Sequence, residues 1–220
     1  MTQSLANRSL DWLADFVGQD WKGDVQYYSA SEGEMDRRWT AMIWPFVQDC
    51  DFRHCLDLAA GHGRNTRKLL ELRSCRKVYV VDINQDNIDF CVARFQGEPR
   101  VVLIRNDGVR IPEVAPGSIT MFYCFDAMVH FDSDVVRSYL AEVRRLLEPT
   151  VGRAFLHHSN YIGSPGGDFH DSPHWRNFMS IELMAHYAAK EGLVVEKQRK
   201  IDWNRDQNYI DAFTLLRLAS

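Results

Sequence analysis

The stretch Leu56–Thr66, "LDLAAGHGRNT", decides the fold. A short apolar run, Leu56–Ala60, ends in two glycines separated by one residue, and an Arg-Asn-Thr cluster follows. The run has the length and composition of a buried strand, and Arg64–Leu72 has the pattern of a helix. Glycine lacks a Cβ and enters positive φ easily, so backbone at Gly61 and Gly63 can come close to a ligand. The helix that follows aims its first N–H groups at the same place. A lone Gly-x-Gly is also found in ordinary tight turns, so its surroundings carry the weight.

Those surroundings alternate. Val78–Ile83 is a β-branched strand, and Asn84 can cap a helix over Gln85–Phe95. Val101–Ile104 is a third strand, and Pro112, Pro116 and Gly117 mark a loop. Ile119–Phe125 is a fourth strand. Asp132 and Ser133 can cap a helix over Val135–Leu147, which Pro149 and Gly152 end. Ala154–His158 is a fifth strand. Strands alternating with helices predict a parallel sheet covered on both faces. After a helix over Ile181–Lys190, stopped at Gly192, two extended runs follow, Val194–Ile201 and Tyr209–Leu218. The turn-rich link Asp202–Asn208 is too short for a crossover helix, so they must pair antiparallel. The fold class is therefore α/β: a Rossmann-like doubly wound sheet, mostly parallel, with a C-terminal antiparallel hairpin and an N-terminal helical segment.

The chain of 220 residues, 45% hydrophobic, is long enough for one domain with a substantial core. We expect residues 1–220 to form one domain: a helical cap over 1–52, an α/β core over 53–220, and a long acceptor-side loop over 161–175. The first 52 residues are rich in aromatics (Trp12, Phe16, Trp21, Tyr27, Tyr28, Trp39, Trp44), with helical patterns over Asn7–Phe16 and Glu34–Val47. The formal charge of −4, with no basic stripe, argues against a nucleic-acid partner. No apolar run approaches the roughly 20 residues that span a bilayer, and no signal-like start is present. The five cysteines have no CxxC spacing and read as buried free thiols. We expect a cytoplasmic protein without membrane partners, of unspecified oligomeric state.

The crevice at the carboxyl edge of such a sheet is where ligands bind. Asp82 ends the second strand, where a carboxylate can accept from two ribose hydroxyls or can cap the next helix. Asp107-Gly108 ends the third, where an acid can take an adenine amino proton or sit in a plain turn. Together these features predict a nucleoside-containing cofactor across three strand ends. The dinucleotide fingerprint requires a third glycine where Thr66 stands, which disfavours a nicotinamide cofactor.

"LDLAAGHGRNT", "VYVVDINQDNID", "IRNDGVRIP" and "ITMFYCFDAMVHF" resemble the successive motifs of class I S-adenosylmethionine-dependent methyltransferases, in the small-molecule methyltransferase-domain group. The resemblance implies S-adenosylmethionine as cofactor. It implies that Gly61 and Gly63 line the methionine part, that Asp82 holds the ribose and Asp107 the adenine, and that Ile83 and Gly108 also contact the cofactor. Asp57 occupies the acidic position at the start of the glycine motif, Asp126 follows the fourth strand, and Tyr28 can cover the cationic sulfonium.

The acceptor should meet the methyl beyond the fourth and fifth strands. His130 is the candidate general base, because its pKa lies near neutrality; the other reading is a histidine that packs the next helix. Strand alternation lets at most one of His157 and His158 face the crevice, and His158 is taken as the substrate-side residue with His170 and His174 from the loop. The Asp168-x-His170-x-x-x-His174 spacing suits a metal only on a regular element, so no metal is expected. The function implied is methyl transfer to an oxygen or nitrogen of a small molecule. The alternatives are an NAD-dependent oxidoreductase and a silent nucleoside-cofactor-binding protein on the same scaffold.

Overall fold

The computed structural model describes residues 7–23, 25–166, 168–204 and 207–219. Gly167 of the long loop and residues 205–206 of the last link lie outside them. The chain runs α1 (Leu10–Asp20), α2 (Val25–Arg38), α3 (Trp44–Val47), β1 (His54–Leu58), α4 (Arg64–Glu71), β2 (Lys77–Asp82), α5 (Gln85–Arg94), β3 (Val101–Arg105), β4 (Met121–Cys124), α6 (Ser133–Leu146), β5 (Arg153–Ser159), α7 (Ile181–Lys190), β6 (Leu193–Ile201) and β7 (Asp211–Leu218). The strands form one seven-stranded sheet in the order β3-β2-β1-β4-β5-β7-β6. All pairings through β5 are parallel, and β7 is antiparallel to both β5 and β6. This is the mostly parallel sheet with a terminal hairpin that the alternation and the short last link dictate. The strand order reverses between β1 and β4, which opens a crevice at their carboxyl ends.

Period-two burial splits the core into two layers. Leu56, Leu58, Phe122, Cys124 and Leu156 face one side, against Val136, Tyr139 and Leu140 of α6. Cys55, Val80, Met121, Tyr123 and Phe155 face the other, against Met35, Trp39, Ile43 and Phe46. The N-terminal segment therefore reaches both faces: α1 joins the first layer through Leu13 and Ala14, while the end of α2 and α3 join the second.

Three local boundaries differ from the sequence pattern, each for a visible reason. β1 ends at Leu58 because Ala59 turns into positive φ (52°), so the two alanines belong to the turn rather than the strand. α1 starts at Leu10, where the Ser9 hydroxyl accepts from the Trp12 N–H, and runs to Asp20 rather than ending near Phe16. The helix expected over Glu34–Val47 widens to a π turn at Trp39–Ile43. Pro45 has no N–H to continue the ladder, and the Trp44 N–H bonds back to Trp39 O, which shifts the register by one. Among the described residues no helix is long and apolar enough to cross a membrane.

Candidate active site

The sheet reversal opens two adjoining cavities. The first has about 910 Å³ of free space, including its open mouth, and is walled by α1 (Leu13, Ala14, Val17), the Gly61 turn, Asp82, Ile83 and Tyr139. The second, about 1290 Å³, lies between α2, the 174–176 segment and the approach to β7. Trp21, Tyr27, Asp126 and His130 line both.

The glycine turn is built as its sequence requires. Gly61 has φ 54°, and its N–H donates to Asp82 Oδ2 at 2.8 Å. The group that lies closest above it is the Tyr28 ring: a Cβ at Gly61 would come within 2.4 Å of Tyr28 Cε1. Tyr28 stacks on His62 with centroids 4.0 Å apart, and its hydroxyl donates to Trp21 O. The space expected for a ligand at the Gly61 backbone is thus shared with an aromatic plate from α2. Gly63 is not on the cavity wall. A Cβ there would meet Phe95 at 2.6 Å, so this glycine serves close packing of α4 on the end of α5.

Asp82 is buried on the wall. Its Oδ1 accepts from the Asn84 N–H at 2.9 Å and from Asn87 Nδ2 at 3.1 Å. Burial pushes its carboxyl up and these donors oppose the push. Asp57 is also fully buried but does not reach the cavity. Its Oδ2 accepts from the Thr66 hydroxyl at 2.6 Å, stapling β1 to α4. Burial raises it to about 7, against the Thr66 bond and the charge of Arg64. Asp107 likewise leaves the wall: its Oδ1 accepts from the backbone of Val109 and Arg110, an Asx turn that points it outward. Its neighbours Asn106 and Gly108 line the cavity instead, together with Ile83.

Asp126 carries the junction. It follows β4 with φ 63°, a left-handed conformation that Asp tolerates better than most residues. Its N–H donates to His157 Nδ1 at 3.1 Å. Its Oδ2 receives Arg64 Nη2 at 2.7 Å, Arg38 Nη1 at 3.1 Å and the Tyr27 hydroxyl at 3.4 Å. Burial alone would raise this carboxyl; the charges of Arg64 and Arg38 outweigh it and hold it at about 2. His130 is buried beside it. Its Nδ1 lies 2.7 Å from the Trp175 carbonyl, which only an N–H can satisfy, so in the neutral ring Nε2 is left as an acceptor. Burial, with help from Arg176, pushes its pKa down to about 4.

The remaining histidines separate. His158 reaches neither cavity: it is buried with Nε2 against the Thr214 hydroxyl and Nδ1 against Ser159 O. Its neighbour His157, on the other face, lines neither cavity either, but it accepts from the Asp126 N–H and lies 3.2 Å from Asp211. His170 joins Asp168 and Asp20, tying the loop to the end of α1 rather than lining a cavity. His174 lines the second cavity. Burial lowers His158 to about 4. The unfolded chain takes up that proton below about pH 6.5 and the native chain does not, so stability falls as pH drops from 6.5 to 4. His158→Gln is expected to gain about 3 kcal/mol on the wild type between pH 7 and pH 4, read from urea unfolding at both pH values. A parallel pair of pH curves would refute a buried neutral imidazole.

Residues 55–150 match the family model described as a methyltransferase domain. The reversed β7 in the sheet accords with that match. Residues 55–150 are a methyltransferase domain, carried on a Rossmann-like sheet. The methyltransferase is similar in fold to solved structures of low identity. A S-adenosylmethionine-dependent methyltransferase from Leishmania major shares 14% identity with a TM-score of 0.71, over 93% of this chain and 83% of that one. Geranyl diphosphate C-methyltransferase from Streptomyces coelicolor shares 14% identity and 0.69, over 94% and 98%. A methyltransferase from Clostridium acetobutylicum shares 13% and 0.62, over 89% and 99%. No curated protein sequence matches the chain.

The methyltransferase cofactor is S-adenosylmethionine, and the first cavity fits it. The side-chain carbonyls of Asn65 and Asn87 are buried there without a hydrogen-bond partner. Orphaned acceptors in a cavity wall ask for ligand donors, and the cofactor brings hydroxyl, amino and ammonium groups. The sequence pattern did not single out these two asparagines. Both face inward from the first turn of a helix, where helical periodicity alone gives Asn no distinguishing mark.

Proposed function

We propose that this methyltransferase moves a methyl group to an oxygen or nitrogen of a small-molecule metabolite, with His130 as general base. The observation that carries the reading is the junction of the two cavities at Trp21, Tyr27, Asp126 and His130. The bound cofactor supplies an activated methyl on a cationic sulfur, poised for in-line displacement. The chain's own work is then to align and to enclose, which can lower the barrier by about 7–11 kcal/mol for well-aligned reactants.

Asp82 accepts from one ribose hydroxyl and the orphaned Asn87 Oδ1 from the other. Leu13, Ala14, Val17 and Ile83 form the apolar slot for the adenine, with Asn106 as its polar edge in place of Asp107. Gly61 lets Tyr28, and Gly108 lets Ile83 and Ala14, close tightly onto that wall, while Gly63 and Asp57 support the turn from behind. Asn65 Oδ1 takes the cofactor's ammonium. Tyr27, Tyr28 and Trp21 keep water from the junction and offer π faces to positive charge. His130 Nε2 accepts the acceptor's proton, while the Trp175 carbonyl holds Nδ1–H and fixes the tautomer. A cleft of this size and a net charge of −4 favour a metabolite over a nucleic acid. We further propose that residues 1–220 act as one domain, with 1–52 as its cap.

His130→Ala is expected to leave S-adenosylhomocysteine affinity within about threefold and to lower turnover on the order of 10²-fold, as general-base losses do. In the wild type, kcat/KM should hold level from neutral pH downward and fall through about pH 4, where the imidazole becomes charged and stops accepting. The assay uses a labelled methyl donor with hydroxyl- and amine-bearing acceptors. Equal turnover in the variant would remove His130 from the base role.

A further inference from the structure

The second cavity holds a cation that is only half used. Arg38 ends α2 on the cavity wall, and its Nη1 donates to Asp126. Its Nε is buried without a hydrogen-bond partner. Its guanidinium carbon lies 5.3 Å from the centroid of the Trp203 ring, which constrains the plane of the fork. The Nε–Nη2 edge therefore engages no protein acceptor among the described residues. That edge is the one that receives a planar anion through two parallel bonds. A buried N–H left unpaired is destabilising, and a ligand oxygen would satisfy it.

The charges around it indicate which anion. Arg37 is paired with Glu34, and Arg176 is held by both oxygens of Asp211. Arg38 and Arg64 share the single carboxylate of Asp126. Among the described charged groups of this cluster, one positive charge is left uncompensated, and it lies where Arg38 faces the cavity. Trp175, Trp203 and Ile210 give the same cavity its apolar part, beside the polar Asn204 and Asn208. A monoanion balances the single uncompensated charge; a dianionic phosphate overshoots it.

Resting on the methyl-transfer reading above, we propose that the acceptor is a monoanionic carboxylate. Its carboxylate sits on the Nε–Nη2 edge of Arg38, and its nucleophilic atom reaches His130 Nε2. Methyl transfer on such a substrate forms the acceptor–carbon bond as the sulfur–carbon bond breaks. The acceptor's proton passes to His130, and the carboxylate takes no part in bond making.

The test uses calorimetry on the full chain saturated with S-adenosylhomocysteine, with three probes: 4-hydroxybenzoate, 4-hydroxybenzamide and phenyl phosphate. The benzoate is expected to bind at least tenfold tighter than the benzamide and no weaker than the phosphate. Arg38→Gln should erase the benzoate preference, Arg38→Lys should keep part of it, and S-adenosylhomocysteine affinity should stay within about threefold in both. Equal binding of benzoate and benzamide overturns the proposal, as does preference for the phosphate. So does the absence of binding by any probe at concentrations on the order of 10 mM. The wild-type comparison decides even where a variant fails to fold. If S-adenosylhomocysteine itself does not bind, the cofactor site is at fault instead, so the two failures are told apart.

Discussion

Asp211→Ala is expected to cost about 3–5 kcal/mol of folding stability, the range for removing one partner of a buried ion pair. Asp211 starts β7, is fully buried, and is the anchor of the acceptor-side wall. Its two oxygens receive Arg176 Nε and Nη2, both at 2.7 Å, and Oδ2 also receives the Trp203 indole N–H at 2.5 Å. Burial would raise this carboxyl, but His157 and Arg176 overcome it and hold it far below the usual carboxylate range. A depressed carboxyl contributes its stability above the unfolded pKa near 3.9 and loses it only as pH falls through the folded value, so the full effect is present at neutral pH. Removing it strands a mostly buried guanidinium and leaves the Trp203 indole N–H without an acceptor. Asp211→Ala combined with Arg176→Met should recover more than half of the loss, because the cost lies in the unpaired cation rather than in the missing bond. Urea unfolding of the three variants at pH 7 checks this. A single-variant loss below about 1 kcal/mol would mean that water already solvates the pair.

How much of this site was legible in the sequence follows from how local each feature is. The glycine turn, the acid ending β2 and the hairpin are signalled within a dozen residues, and each is where the pattern puts it. The partners of Asp126 are not: Arg64 and Arg38 lie 62 and 88 residues away in sequence, and only the folded sheet brings them to one oxygen. The same holds for Arg176 and Asp211, separated by 35 residues and joined across the loop and β7. Parity defeated the choice between His157 and His158. Alternation says that at most one of the two faces the crevice, and neither lines a cavity; a strand carries no mark of which face is which until its neighbours are known. Asp107 fell to a competing local bond, since an Asp two residues before a free N–H closes an Asx turn more readily than it reaches a ligand. Tyr28, by contrast, lines the first cavity, a position that residue type alone suggests, because an aromatic-rich segment ahead of the first strand has few places to put its rings. The packing of that segment on both sheet faces had no sequence signal, for the π turn that redirects it depends on Pro45 and bulky neighbours rather than on any period.

Asp82→Ala is expected to weaken S-adenosylhomocysteine binding by at least tenfold and up to about a hundredfold, since a hydrogen bond to a charged group contributes about 1.5–3 kcal/mol. Two routes lead to that loss, and they separate by experiment. Asp82 also accepts from the Gly61 N–H, the Asn84 N–H and Asn87 Nδ2, so its removal loosens the turn and frees the Asn87 amide to rotate. An ionised carboxylate has about four acceptor positions, and these three donors leave one for a ribose hydroxyl. An analogue of S-adenosylhomocysteine lacking one ribose hydroxyl distinguishes a direct contact from a loosened turn. In the wild type it should bind several-fold more weakly than the parent; in Asp82→Ala the two should bind alike, because the group that told them apart is gone. If the variant still discriminates as the wild type does, the ribose is held by another residue and Asp82 acts only through the glycine turn. Unchanged affinity for the parent compound would remove Asp82 from the cofactor site altogether.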